Sequence, residues 1–116
     1  MPKVTTIQEV FDLLPRYFRP EQAQGVRAVV QFHITGPQGG DWVVRVDDGR
    51  LTVEQGRSPL PPDLTVQVSD AVYWALLRGE RDPLAAYMRG QLRIEGDLKL
   101  AYRLQDLFRM PDESVA

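Results

Sequence analysis

The sequence predicts an α+β fold, a mostly antiparallel sheet of about five strands with helices packed on one face. Three observations predict it. Apolar residues alternate with polar ones through residues 26–68 and again at 91–95, the period of strands with one buried face. Apolar residues recur at helical spacing near the start of the chain and through residues 70–108. Between these runs stand turn signals: Gly36-Pro37, Asp48-Gly49, Gly79, Gly90 and Gly96. A chain of 116 residues has room for one core, so residues 1–116 are expected to form a single domain, with 111–116 a frayed tail.

The elements follow in order. Thr6 and Glu9 form a T-x-x-E capping box, and Ile7, Val10, Phe11 and Leu14 share one helical face. Pro15 is expected to end or kink that helix, because it lacks an N–H and crowds the carbonyl of Phe11. Arg16 to Gln24 reads as an irregular link or a short extra turn. Val26, Ala28, Val30, Phe32 and Ile34 alternate with Arg27, Val29, Gln31, His33 and Thr35, which makes a long strand. Trp42, Val44 and Val46 point one way, and Asp41, Arg45 and Asp47 the other. Asp48-Gly49 then closes a hairpin onto Leu51 and Val53. After a proline-rich loop from Gly56 to Pro62, Leu64, Val66 and Val68 make a fourth strand. All these strands are amphipathic, so one sheet face is expected to be wet and the other covered by helices.

The helices of the second half carry their own punctuation. Ser69 or Asp70 caps a helix holding Val72, Tyr73, Leu76 and Leu77, closed by Gly79. Asp82-Pro83 places a cap before a proline at the first helical position, and the helix carries Leu84, Tyr87 and Met88. Gln91 to Glu95 is the last strand. Gly96 turns the chain with positive φ, Asp97 caps, and Leu100, Ala101, Leu104, Leu107 and Phe108 form the stripe of a final helix reaching about Arg109.

Composition excludes several functions. A net charge of −2 lacks the concentrated basic footprint of a nucleic-acid binder. The absence of cysteine removes disulfides, thiol nucleophiles and thiolate metal sites. The start, Met-Pro-Lys-Val-Thr-Thr, has no apolar secretory core. The longest wholly apolar run, Ala71 to Leu77, is too short to span a bilayer, so a cytoplasmic protein without a transmembrane segment is expected.

Catalytic chemistry is not evident. His33, the single histidine, falls on the polar face of its strand, with no carboxylate or second ligand spaced near it. Asp47 and Asp48 are neighbours on a strand and its turn, so they face apart. Gly36 to Gly40 lacks the lysine and following helix of a phosphate loop. No catalytic residue, metal site or cofactor is therefore expected.

Four segments carry a resemblance. Gly90 to Leu104 reads G-x-L-x-I-x-G-D-x-x-L-A-x-x-L. Gly40 to Gly49 reads G-x-W-x-x-x-x-x-D-G in outline, Asp63 to Ser69 is a strand before a helix, and Leu77 to Pro83 is a link of the form L-x-G-x-x-x-P. In this order they resemble the sterol carrier protein 2 (SCP2) family of small lipid-binding domains, over roughly Val26 to Phe108. The resemblance implies a noncatalytic lipid-binding or lipid-transfer protein, with an apolar cavity between sheet and helices. It implies that some of Phe11, Phe32, Trp42, Leu76, Leu77, Tyr87, Met88, Leu100, Leu104, Leu107 and Phe108 line that cavity. Met88 and Met110 suit an adaptable wall, and Trp42 and Tyr87 offer polar tips where a ligand's head meets water.

The expected ligand is a fatty acid, an acyl-CoA or a phospholipid acyl chain. An alternative is an accessory or scaffold subunit presenting a prenyl-quinone or another apolar intermediate to an enzyme. The expected partners are thus a lipid or similar apolar small molecule, with no nucleic acid, and transient contact with a membrane surface is compatible with this. The chain ends Glu-Ser-Val-Ala without the peroxisomal tripeptide of eukaryotic members, which points to a bacterial cytosolic protein and away from a sterol.

Overall fold

A computed structural model of the chain describes residues 6–107. Helix α1 (Ile7–Tyr17) leads into a 3-10 turn at Pro20–Gln22 and then three strands, β1 (Arg27–Thr35), β2 (Gly40–Asp47) and β3 (Arg50–Gln55). Strand β4 (Leu64–Ser69), helices α2 (Asp70–Leu77) and α3 (Pro83–Met88), strand β5 (Leu92–Gly96) and helix α4 (Leu98–Leu107) complete the order.

The five strands form one sheet in the order β3-β2-β1-β4-β5. Both hairpin partners of β2 are antiparallel, as is β4 with β5. The exception is β4, which returns beside β1 in parallel register, Val30 against Leu64 through Thr35 against Ser69. Asp63 fixes that return: its Oδ2 accepts from Val29 N at 2.8 Å, and its own N–H donates to Val29 O at 2.9 Å. The even-numbered residues of β1, β2 and β4 form the helix-covered face. Ala28, Val30, Ile34, Trp42, Val44, Val46, Leu64, Val66 and Val68 are all buried there.

Two expectations need correction. The first helix passes through Pro15 and ends at Tyr17, with Phe18 extended after it. Pro15 is exposed, so its ring meets water, and it removes a single hydrogen bond, the one to the Phe11 carbonyl, while the rest of the helix is kept. The outer sheet face is not simply wet. Gln31 is 9% exposed and Val43 2% exposed, although both sit on that face. Gln31 accounts for this: its Nε2 donates to Trp42 O at 3.2 Å and Gly56 O at 3.0 Å, and its Oε1 accepts from Ser58 N at 2.8 Å. The start of the Gly56–Pro62 loop is thereby pinned over the sheet. α4 is described to Leu107, so Phe108, Met110 and the tail 111–116 lie outside the described residues.

The caps act where the turn chemistry puts them. Ser69 Oγ accepts from Val72 N at 3.2 Å, while Asp70 holds the β1–β2 loop through Gln38 N at 2.9 Å. Asp82 Oδ2 accepts from Ala85 N at 3.0 Å, one residue before the Pro83 that opens α3.

Candidate functional site

Helices α3 and α4 lie beside β4 and β5 without closing against each other. Between them is an apolar groove of about 270 Å³. Leu64 and Val66 of β4 and Leu92 and Ile94 of β5 form its floor. Pro83, Leu84 and Tyr87 of α3, and Leu98, Ala101, Tyr102 and Leu104 of α4, form its walls. Among the described residues no charged side chain lines it, and the tyrosine hydroxyls are the only polar side-chain atoms.

Local sequence explains the opening. Ala86, fully buried, lets α3 lie close to β5, and its small side chain leaves Leu84 and Tyr87 to lean outward over the gap. On α4, Leu100, Leu104 and Leu107 repeat at helical spacing toward the core, while Leu98, Ala101 and Tyr102 occupy the next stripe and face the groove. The joint of Gly96 and Asp97 aims α4. Gly96 has φ +115°, and a Cβ there would collide with the carbonyl oxygen of Asp63. Asp97 N donates to that same oxygen at 3.1 Å, and Asp97 Oδ1 accepts from Lys99 N at 3.0 Å and Leu100 N at 3.4 Å.

The residues singled out by sequence are dispersed. Tyr87 and Leu104 line the groove. Phe11 and Trp42 are buried and stacked, with ring centroids 4.5 Å apart and planes 7° apart. Phe32 meets Phe11 edge-on at 5.2 Å, and Tyr73 of α2 lies parallel to Phe11 at 5.9 Å. Trp42 Nε1 is buried without a hydrogen-bond partner, so its polar tip does not face water. Burial raises the Tyr73 hydroxyl above the ordinary phenol range, so it stays neutral. Leu100 and Leu107 are buried in the core, Leu76 packs against it half-buried, and Leu77 is half-buried at the end of α2. Met88 is 78% exposed and outside the groove, and Phe108 lies outside the described residues.

Sequence reasoning passed over most of the groove wall. Leu64, Val66, Leu92 and Ile94 read as ordinary strand residues and Pro83 as the first residue of a helix, while Leu98 and Tyr102 fall outside the stripe assigned to the final helix. A signal existed in the last pair: Leu98 and Tyr102, four apart, lie off the main stripe of α4 and would be unusually apolar for a solvated face.

His33 also departs from expectation. Its Nδ1 lies 2.5 Å from Asp41 Oδ1, and Arg57 Nε is 3.4 Å from Asp41 Oδ2. A carboxylate does stand beside the histidine, supplied by the β1–β2 register that sets His33 opposite Asp41. The His33 hydrogen bond, aided by the charges of His33 and Arg57, holds the Asp41 carboxyl below its usual range against a smaller effect of burial. The cluster sits on the outer face, across the sheet from the helices. Among the described residues no group of three or more His, Cys, Asp or Glu side chains could hold a metal ion, and no helix is long and apolar enough to cross a membrane.

The family model described as the SCP-2 sterol transfer family matches residues 10–109. Hydroxysteroid dehydrogenase-like protein 2 of Xenopus laevis is 25% identical over 101 residues, which is 87% of this chain and 24% of that protein. Stomatin-like protein 1 of Homo sapiens is 32% identical over 110 residues, 93% of this chain and 28% of that protein. The chain thus spans about a quarter of the length of these curated relatives.

Among solved structures, palmitated SCP2L2 from Aedes aegypti has a TM-score of 0.67 at 26% identity, covering 86% of this chain and 87% of that one. The sec-alkylsulfatase Pisa1 from Pseudomonas sp. has a TM-score of 0.78 at 21% identity, covering 90% of this chain and 16% of that one. UbiJ-SCP2, a ubiquinone synthesis protein, has a TM-score of 0.66 at 18% identity, covering 86% and 90%. The last two, below 25% identity, show a shared fold.

Proposed function

The chain belongs to the SCP-2 sterol transfer family, and from that premise we propose that its groove holds one fatty acyl chain, without catalysis, for binding or transfer. The observation that carries this reading is the groove itself: among the described residues, eleven line it and none is charged, between two helices and two strands. An alkyl chain needs no hydrogen-bond partners and gains roughly 0.8 kcal/mol for each methylene removed from water. The palmitated relative from Aedes aegypti supports the same class of ligand.

The volume bounds the ligand. At about 270 Å³ the groove lies just under the ~300–1,000 Å³ of a drug-sized site. An alkyl chain laid along these apolar walls has no polar group left to satisfy. A fatty acid or a phospholipid acyl chain, with its head at the open side, is therefore the preferred occupant.

The second reading is delivery of a prenyl-quinone or similar apolar intermediate to an enzyme. It is supported by the UbiJ-SCP2 likeness and by relatives about four times longer than this chain, one of them named for a dehydrogenase.

Mass spectrometry of lipid released from natively purified protein distinguishes the two. Acyl chains are expected for the carrier, and a prenyl-quinone favours delivery. Ala101→Arg and Leu104→Arg place a cation in the apolar wall and should empty the groove while circular dichroism stays that of the wild type. Undiminished lipid in both variants would show that the groove is not the site.

A further inference from the structure

β3 is one of the two edges of the sheet, and it is unguarded. It pairs with β2 without a bulge, from Asp47 against Arg50 to Trp42 against Gln55. It holds no proline and no lysine, the residues that commonly blunt an edge. The chain also leaves the edge clear at both ends. The Asp48-Gly49 turn closes one end. At the other, Gly56 O and Ser58 N are drawn inward over the sheet by the side chain of Gln31 in β1.

The phase of the ladder decides which backbone groups of β3 lack partners. Gly56 N donates to Asp41 O at 2.8 Å, the next pair in register after Trp42 and Gln55. Antiparallel pairs alternate, so Arg50, Thr52 and Glu54 exchange hydrogen bonds with β2, while Leu51 and Val53 turn their N–H and C=O groups outward. Among the described residues, none of these four outward groups has a hydrogen-bond partner.

The side chains along this edge are complementary to themselves. Turned antiparallel about Thr52, a second β3 sets Thr52 against Thr52, Leu51 against Val53, and Arg50 against Glu54. The outward backbone groups then satisfy one another, Leu51 of each copy exchanging both bonds with Val53 of the other. The faces agree as well. Leu51 and Val53 lie opposite Val46 and Val44 on the helix-covered face, and Arg50, Thr52 and Glu54 lie on the other. Arg50 is exposed and has no ion pair among the described residues; Glu54, 3.0 Å from Arg45, is still exposed. The opposite edge matches less well. Turned about Ile94, β5 pairs Arg93 with Glu95 but sets Leu92 against Gly96, which has no side chain to pack.

We propose that the chain forms a homodimer by antiparallel pairing of β3 with β3 about Thr52, so that two sheets run on as one. The dimer does not depend on the acyl-chain reading. The floor of the groove is β4 and β5, at the far side of the sheet, so both grooves stay open. A single strand pair gives an interface at the small end of the specific range, so the dimer forms and dissociates with concentration.

The test is sedimentation equilibrium of the whole chain over a range of concentrations, with amide hydrogen exchange as a second readout. Wild type is expected to pass from monomer to dimer and to stop there, because two-fold pairing uses up the edge. Arg50→Glu and Glu54→Arg each set like charges opposite one another twice, and each should weaken the dimer about tenfold. The double variant exchanges the charges and should recover most of the wild-type affinity, which also shows that it is folded. The Leu51 and Val53 amides should exchange fast in dilute solution and slowly in concentrated solution, while the Thr52 amide, bonded to β2, stays slow in both. A chain that remains monomeric at every concentration overturns the proposal. So does a dimer that the single reversals leave intact, that the double variant fails to restore, or in which the Leu51 and Val53 amides stay unprotected.

Discussion

Gly96 and Asp97 are the two residues on which the direction of α4 depends. With φ at +115° and the Asp63 carbonyl against it, Gly96 has no room for a side chain. Gly96→Ala should destabilise the fold by more than about 1 kcal/mol, and Asp97→Ala by about 0.5–2 kcal/mol through the lost cap. Denaturant midpoints measure both, and wild-type midpoints would mean that the joint bears no strain.

Asp41 supplies a pH dependence. Its folded pKa is lowered from 3.8, chiefly by the hydrogen bond from His33. The stability its ionised form contributes is therefore fully present above about pH 4, and is lost as the pH falls through the lower folded value. Asp41→Asn should lower stability near neutral pH by about 0.5–1.5 kcal/mol, discounted for partial exposure, and should flatten the loss of stability below pH 4. Unchanged acid unfolding in Asp41→Asn would show that the His33–Asp41–Arg57 contacts contribute nothing.

At the scale of elements, the loop from Gly56 to Pro62 and the pair α3–α4 matter most. Gln31→Leu keeps the volume of the buried side chain but removes its bonds to Trp42 O, Gly56 O and Ser58 N. It should cost about 1–3 kcal/mol and raise proteolysis within the loop, because the backbone groups it satisfied lose their partners.

What the sequence disclosed divides along the same line. Caps, turns and period-two strands were legible because they depend on neighbours in the chain: Ser69, Asp82-Pro83, Asp48-Gly49 and Gly96-Asp97 all act as their residue types require. The joining of β1 to β4 in parallel was not, since no local residue sets it. Nor was the groove. Whether an inward apolar residue meets another side chain or a gap is decided by how far α3 and α4 stand apart, so Phe11 and Trp42 could not be told from Leu64 and Ile94. The His33–Asp41 pair lay between these cases. It follows from the β1–β2 register, which the length of the Gly36–Gly39 loop could have suggested.

Considered whole, the molecule has two apolar regions beneath its helices. One is dense, built on the Phe11–Trp42 stack under α1, and the other is the groove between α3 and α4. A stable core can exist without the second being filled, and an exposed apolar mouth is tolerable when it serves a ligand. Burying about ten methylenes there yields about 8 kcal/mol at ~0.8 each. Ordering the ligand takes back several kcal/mol, so micromolar dissociation constants mark the tight end.

The most direct test of an acyl-chain groove is a titration of saturated fatty acids from C8 to C18, followed by displacement of a bound fluorescent probe. Each added methylene should tighten binding by about three- to fourfold at ~0.8 kcal/mol, until the groove is full, and affinity should then level off with little dependence on salt. Affinity that is flat across the series, or absent at every length, would contradict the account.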